Sequence, residues 1–458
     1  MNYKKDALKV IRDGEKLTFS EEIALILRLS FPAILAQISS IIMQYIDASM
    51  VGRLGPNASA SIGLVSSSTW LIGGIISAAG MGFTVRVAHK IGAKDYSGAR
   101  NIVRWGLGCA LLFSLLIMAI AVVMSRYLPS IMGGEAAIQK DASMYFLIYA
   151  LTIPVQEMLI VSQGMLQSSG NIRLPSILNV MMCALDVFFN VLLIPRLGVS
   201  GAALGTSIAK LITTVIMLYC LLIRSDLLSL VKNKDSDQKG LIAFVRDEIP
   251  LSLKIAIPIA IDSIIMGFAY VAFTRIVSPF GTASIAANSF AITAESLCYM
   301  PGFGIGVAAT TVVGQCIGAR RRDLGKRLGW IAVVLGMVIM CISGILMYIF
   351  APQMIGILTP DEEIRELGIR ILRIEAFAEP LYGASIVAAG VFRGAGETLL
   401  SSVLNLMSVW AVRIPMAAFL GARYGLKGAW IAMCTELCVR GTLFLIRLIL
   451  WGSKEKKK

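Results

Sequence analysis

Long apolar runs recur along this 458-residue chain, at 20–52, 58–90, 101–125, 138–167, 174–195, 199–223, 249–277, 283–315, 326–351, 364–392, 400–420 and 426–450. A helix rises about 1.5 Å per residue, so about 20 residues cross a hydrocarbon layer roughly 30 Å thick. No water there can satisfy a bare backbone, and runs of this length suit helices rather than the short alternating strands of a barrel. The composition agrees, with 57% hydrophobic residues, 15% charged residues and a mean hydropathy of +0.78, far from the balance of a soluble domain. An all-α polytopic membrane protein with twelve transmembrane helices is expected. Several runs exceed the bilayer thickness, which implies tilt or kinking, and Pro32 and Pro258 supply breakers.

Charge orients the helices. Basic residues crowd the N-terminus (Lys4, Lys5, Lys9, Arg12, Lys16), the stretch after the second run (Lys90, Lys94, Arg100, Arg104) and a central linker (Arg224, Lys232, Lys234, Lys239, Arg246). They recur at Arg320, Arg321, Arg322, Lys326 and Arg327 and in the tail "KEKKK", whereas alternate loops are poor in them. The positive-inside rule then places both termini in the cytoplasm. The formal charge of +14 is thereby explained by topology, and no nucleic-acid partner is expected. No removed signal peptide is expected at the N-terminus. Eight cysteines without CxxC spacing argue against disulfides and structural zinc.

The two halves repeat. Pro32 and Pro258, Gly55 and Gly281, "IGA" at 91–93 and 317–319, Pro154 and Pro380, Gly164 and Gly390, Gly170 and Gly396, and Asn179 and Asn405 are all separated by 226 positions. Six crossings per repeat give both halves the same orientation, as pseudo-symmetric six-helix bundles about an axis along the bilayer normal. The expected organisation is a cytoplasmic segment 1–19, an N-lobe 20–223, a cytoplasmic linker 224–248, a C-lobe 249–450 and a basic tail 451–458. Two equivalent bundles around a central cleft suit alternating access. Walker A, HExxH and GxSxG motifs are absent, which speaks against ATP drive and against an enzyme.

Five stretches resemble a known family. "VRVAHKIGAKDYSGAR" and "TTVVGQCIGARRRDLGKR" are similar to the paired signature after the second and eighth helices of the multidrug and toxic compound extrusion (MATE) family. "GVFRGAGET" resembles its RGxGDT-like motif with Glu397 in the acidic place, and "NLMSVWAVRIPMA" resembles its eleventh-helix segment. The first helix matches in "IDASMVGRLG", and the details look closest to the branch that includes DNA-damage-inducible protein F (DinF-like). The resemblance implies a cation-coupled antiporter that exports amphipathic, often cationic compounds, without a cofactor, as a monomer. Its coupling ion is H+, with Na+ as the alternative.

Acids within the apolar runs carry the expected chemistry, because an ionised carboxylate at depth is costly unless it is paired or faces water. Gln37, Ser40, Gln44 and Asp47 form a polar stripe at helical spacing, and the position 226 residues after Asp47 is Phe273. In the fifth run, Asn179, Asp186 and Asn190 line one face, with Asn405, Val412 and Met416 as their equivalents in the second half. The resemblance implies Asn followed four residues later by Asp in proton-coupled members; here Asp186 precedes Asn190. Coupling is therefore expected at Asp47, Asp186, Asn190, Asn179 and Gln44. A plain cap for Asp47 and interhelical hydrogen bonding for Asp186 and Asn190 are the simpler alternatives. Gln37, Met43, Tyr45, Phe188, Phe189, Tyr270, Tyr299 and Met300 are candidates to line a substrate path, since thioethers and rings adapt to shape and attract cations.

The second half holds an alternative cation site at Asp262, Glu295, Glu375 and Glu379, with Arg373 placed to neutralise one of the last two. Sodium-coupled members of the family use acids on helices seven and ten, which carry Asp262 and Glu379 here. Glu436 and Arg440, four apart, suit a structural ion pair, and His89 suits an interfacial position. A flippase for a lipid-linked precursor is a further alternative; it calls for a basic cleft, whereas intramembrane acids outnumber bases.

Overall fold

The computed structural model describes residues 8–14, 17–132, 136–231, 240–359 and 361–451. Lys4, Lys5, Lys16, Lys232, Lys234, Lys239 and the "KEKKK" tail lie outside the described residues. The first half contains α1 (Phe19–Gly52), α2 (Pro56–Gly92), α3 (Tyr96–Ser125), α4 (Ala136–Ser168), α5 (Arg173–Leu197) and α6 (Val199–Tyr219, extended by a π-helical turn Cys220–Arg224). The second contains α7 (Ile249–Val277), α8 (Thr282–Gly318), α9 (Arg322–Leu358) and α10, which comes in two pieces, Glu362–Glu375 and Glu379–Ala395. Then α11 begins as Thr398–Ser408, passes a π-helical turn Val409–Arg413 and continues into the helix Ile414–Leu450. That helix breaks at Gly425 (φ 61°, ψ −144°), and α12 follows the break. The described residues thus form twelve membrane-spanning helices in two bundles.

The expected single helix over 364–392 is corrected to two. Residues 376–378 form a turn, closed by Ala378 N–H donating to the Glu375 carbonyl at 2.8 Å. Pro380 has no N–H to return to the Ala376 carbonyl, so the ladder lapses there. Pro154, its counterpart, sits inside an uninterrupted α4.

Backbone geometry carries the repeat. Lys94 (φ 61°) and Arg320 (φ 58°) are the non-glycine residues with positive φ among the described residues, and they are 226 apart. Gly198 (φ 59°) and Gly425 (φ 61°) match as well, but at 227. A π-helical turn accommodates one more residue than an α-turn, and Val409–Arg413 lies between the positions where the offset is 226 and 227. Beyond that turn the equivalents of Asp186 and Asn190 are Arg413 and Ala417, which corrects the pairing with Val412 and Met416.

From Gly106 onward, α3 turns small residues inward and large ones outward. In α3 the buried positions include Ala99, Gly106, Ala110, Ser114 and Ala121, while Leu112, Leu116, Ile120 and Val123 are exposed. Lipid removes the usual reason to bury leucine, and close backbone packing rewards small side chains.

Two compact units result. Ser39–Ala260 belong to the first, and Ile261 onward together with Asp13–Ile38 belong to the second, so the chain changes unit within α1 and within α7. Each exchanged half-helix is held by a glycine contact and a buried acid. In the first unit a Cβ on Gly82 would lie 2.6 Å from the Ser252 carbonyl oxygen, and Glu248 pairs with Arg86 at 2.8 Å and Lys90 at 3.3 Å. In the second a Cβ on Gly304 would lie 2.6 Å from Ile34 N, and Glu22 pairs with Arg327.

Between α2 and α3, Asp95 caps α3 by accepting from Gly98 N–H at 2.8 Å, and it also binds Lys90 Nζ at 2.9 Å. Partial burial opposes ionisation, but the Lys90 ammonium, the Gly98 N–H and the Ser97 hydroxyl outweigh it and hold this carboxyl below its ordinary range. Its stabilisation is present above the ordinary carboxylate pKa and is lost as pH falls through the lowered folded value. Detergent-solubilised protein is expected to lose thermal stability below about pH 4, and Asp95→Asn should flatten that loss while keeping the cap geometry. An identical acid limb in both proteins would contradict this.

Candidate functional site

Within the first unit, one amide joins two carboxylates. Asn190 Nδ2 donates to Asp47 Oδ1 at 2.8 Å and to Asp186 Oδ2 at 3.1 Å. Asp186 and Asn190, four apart on α5, share a face and are fully buried, while Asp47 near the end of α1 is half-buried. The approach depends on α6: Gly201 and Gly205 sit against the Leu193 carbonyl and Asn190 Oδ1, so closely that a Cβ at either position would overlap them. Two acids held by one amide form a site where a proton or another cation relieves repulsion.

Three further groups lie in electrostatic range of the acids: Tyr145 on α4, Cys183 on α5 and Lys210 on α6. Lys210 Nζ donates to Gln156 Oε1 at 3.1 Å. Lys210 was not among the expected site residues, although it is the one charged residue between 199 and 223. That isolation was the available signal.

The other expected residues are dispersed. Asn179 is buried on α5 but roughly 10 Å along the helix from Asp186, outside hydrogen-bonding reach. Gln44 is exposed, and Met43 is packed in the first unit's core with Leu178 and Met182. Phe188 is 62% exposed, on the far side of α5 from the acids, and meets Phe189 edge-on at 5.4 Å. Gln37 belongs to the second unit, as do the exposed Tyr270, the half-buried Met300 and Tyr299, which stacks edge-on with Tyr382 at 5.7 Å.

The second unit builds something different at the equivalent place. Phe273, opposite number of Asp47, is packed in a core with Trp430 and Leu437. Arg413, opposite number of Asp186, is tied to Glu436 at 2.6 Å. Glu436 also binds Arg440 at 3.0 Å and accepts from Ser408 Oγ at 2.7 Å, in line with the expected structural pair. Asp262 accepts from Asn405 Nδ2 at 3.1 Å and lies in electrostatic range of Arg440 and Arg393, while Glu295, Glu375 and Glu379 lie in electrostatic range of one another. The carboxylates of Glu375 and Glu379 are buried without a hydrogen-bond partner. Arg373 does not neutralise them: it donates to the Tyr348 carbonyl at 3.3 Å and covers that ring at 5.2 Å. Among the described residues no group of three His, Cys, Asp or Glu is placed to hold a metal ion.

Each half of the repeat is matched from outside the chain. The MatE family model matches residues 32–192 and 258–419, two segments in the same offset, the second longer by one residue. The chain belongs to the MatE family. The probable multidrug resistance protein NorM of Thermotoga maritima is 28% identical over 448 residues, covering 94% of this chain and 93% of that protein. A protein of the same description from Bacillus cereus is 24% identical, covering 95% and 97%. Among solved structures, the crystal structure of MATE in complex with MaL6 has a TM-score of 0.90 at 21% identity, covering 99% of this chain and 100% of that one. An outward-facing conformation of a multidrug resistance MATE family transporter of the MOP superfamily also has a TM-score of 0.90 at 21% identity, covering 99% of each chain. At that identity the structures speak for the MatE fold alone.

Proposed function

We propose that this MatE-family protein is a secondary antiporter of the prokaryotic inner membrane, a transporter rather than an enzyme, that exports amphipathic cationic compounds in exchange for protons. The carrying observation is the Asp47–Asn190–Asp186 bridge, which the second unit lacks. A proton shared by the two carboxylates removes one charge and weakens the hold on a cation, so proton and substrate compete for the same place. Such competition gives exchange by alternating access without a covalent step. The protein works as a monomer, and the distribution of its basic residues supports cytoplasmic termini. The multidrug relatives support the substrate class.

Sodium coupling is the second reading, favoured by the unpartnered Glu375 and Glu379 beside Glu295. Purified protein in dye-loaded liposomes separates the two. Proton drive is expected to sustain efflux in sodium-free buffer and to fail when a protonophore is added. Efflux that requires sodium at constant pH would transfer the coupling site to the second unit.

A further inference from the structure

Another carboxyl of the first unit takes no part in the aspartate bridge. Glu157, on α4, is fully buried, and among the described residues neither of its oxygens has a hydrogen-bond partner. It lies in the seam with α2, where a Cβ on Gly80 would meet Val161 and Ile160 at 3.1 and 3.2 Å and Glu157 Oε1 at 3.7 Å. No charge acts on it from α2, α3 or α6, the helices packed against α4. At its level α3 carries Cys109, and α6 carries Lys210, which donates to Gln156 at 3.1 Å. On α2 the nearest titratable residue in sequence is Arg86, bound to Glu248 at 2.8 Å, and on α4 itself Tyr149 donates to the Thr69 carbonyl at 2.8 Å. The shared fold does not call for an acid here. The position 226 residues on is Gly383, where a Cβ would lie 2.9 Å from Met340 Sδ and 3.0 Å from the Gly336 carbonyl oxygen.

A carboxylate stranded in hydrocarbon costs several kcal/mol, so Glu157 holds its proton in this structure. Even the neutral acid is poorly accommodated, because each polar group buried without a partner costs about 1 to 3 kcal/mol. A second conformation in which water reaches the group accounts for it. The means of opening lies one turn away: Pro154 has no N–H to return to the Ala150 carbonyl, and at its counterpart Pro380 the helix parts into two pieces. We propose that Glu157 is a second proton-carrying site, opened to water as α4 bends at Pro154, so that two protons enter for each monocation expelled. The proposal rests on the antiport reading above. Glu157 takes a proton from water outside, carries it buried as the neutral acid and gives it to water inside, with only its O–H bond made and broken. One proton replaces the monocation at the aspartates and the other travels on Glu157, so each cycle moves one net positive charge inward.

Proton entry and ethidium exit are measured together in loaded proteoliposomes containing the wild type, Glu157→Gln or Glu157→Asp. The expected ratio is about two protons per ethidium in the wild type and in Glu157→Asp, which keeps a carboxyl. Glu157→Gln reproduces the neutral acid but cannot release a proton, so it should still export the dye at a ratio of about one. A ratio of about one in the wild type, or an unchanged ratio or complete loss of export in a folded Glu157→Gln, overturns the proposal. A measurement on the unmodified protein stands independently of how the variants fold. Clamping the vesicle lumen negative should speed wild-type ethidium efflux roughly threefold or more, because net positive charge moves inward, and efflux indifferent to the potential overturns the proposal. Ethidium export that moves no protons would instead remove the antiport reading. Proton-coupled export with one proton per dye removes only the role of Glu157.

Discussion

Asp47→Asn is expected to lower pH-driven efflux of a cationic dye about a hundredfold, with folding and membrane insertion intact. A charge pair about 4 Å apart at an effective dielectric near 20 is worth about 4 kcal/mol, and each 1.4 kcal/mol is a factor of ten. Part of that is offset because Asp186 remains, held by the same Asn190. Asp186→Asn should behave alike, and the double variant should be little worse than either, because residues that act as one unit are not additive. Efflux assays in proteoliposomes under an imposed pH gradient decide the matter. Wild-type rates from Asp47→Asn would remove the bridge from the mechanism.

Glu436→Gln is expected to cost the fold about 3 to 5 kcal/mol, the usual penalty for stranding a buried charge. Glu436 is fully buried and compensates both Arg413 and Arg440, so its neutralisation leaves two guanidinium groups without their carboxylate. Thermal unfolding in detergent should fall by roughly 5 to 10 °C. Glu375→Gln, by contrast, alters a buried carboxylate with no hydrogen-bond partner and should leave unfolding unchanged or shift it upward. A fall of similar size in both variants would mean that Glu436 is not the keystone of the network.

Repetition and polarity were legible from the chain alone. Apolar runs long enough to cross a bilayer leave a helix as the only backbone that satisfies itself, which is why most spans fell within a few residues of their expected places. Pro32 and Pro258, Gly55 and Gly281, and the paired "IGA" segments declared the duplication because special backbone positions demand particular residues. Asp47, Asp186 and Asn190 stood out because each is expensive within hydrocarbon.

Tertiary structure decided what sits beside what. Spacing along one helix places Asp186 and Asn190 on a face, but only packing could bring Asp47, 143 positions from Asn190, within 2.8 Å of its amide. Packing likewise gave Asp262 the Asn405 amide as its partner and drew Arg373 to Tyr348. One inserted residue, taken up by the π-helical turn at Val409–Arg413, set Arg413 where the first half has Asp186 and aimed it at Glu436. Chain crossings within α1 and α7 were equally hidden, since they depend on which neighbour accepts Gly82, Gly304, Glu22 and Glu248. Helical periodicity is a property of neighbours in sequence, whereas charge compensation in a membrane is settled by whichever helices the fold brings within a few ångströms.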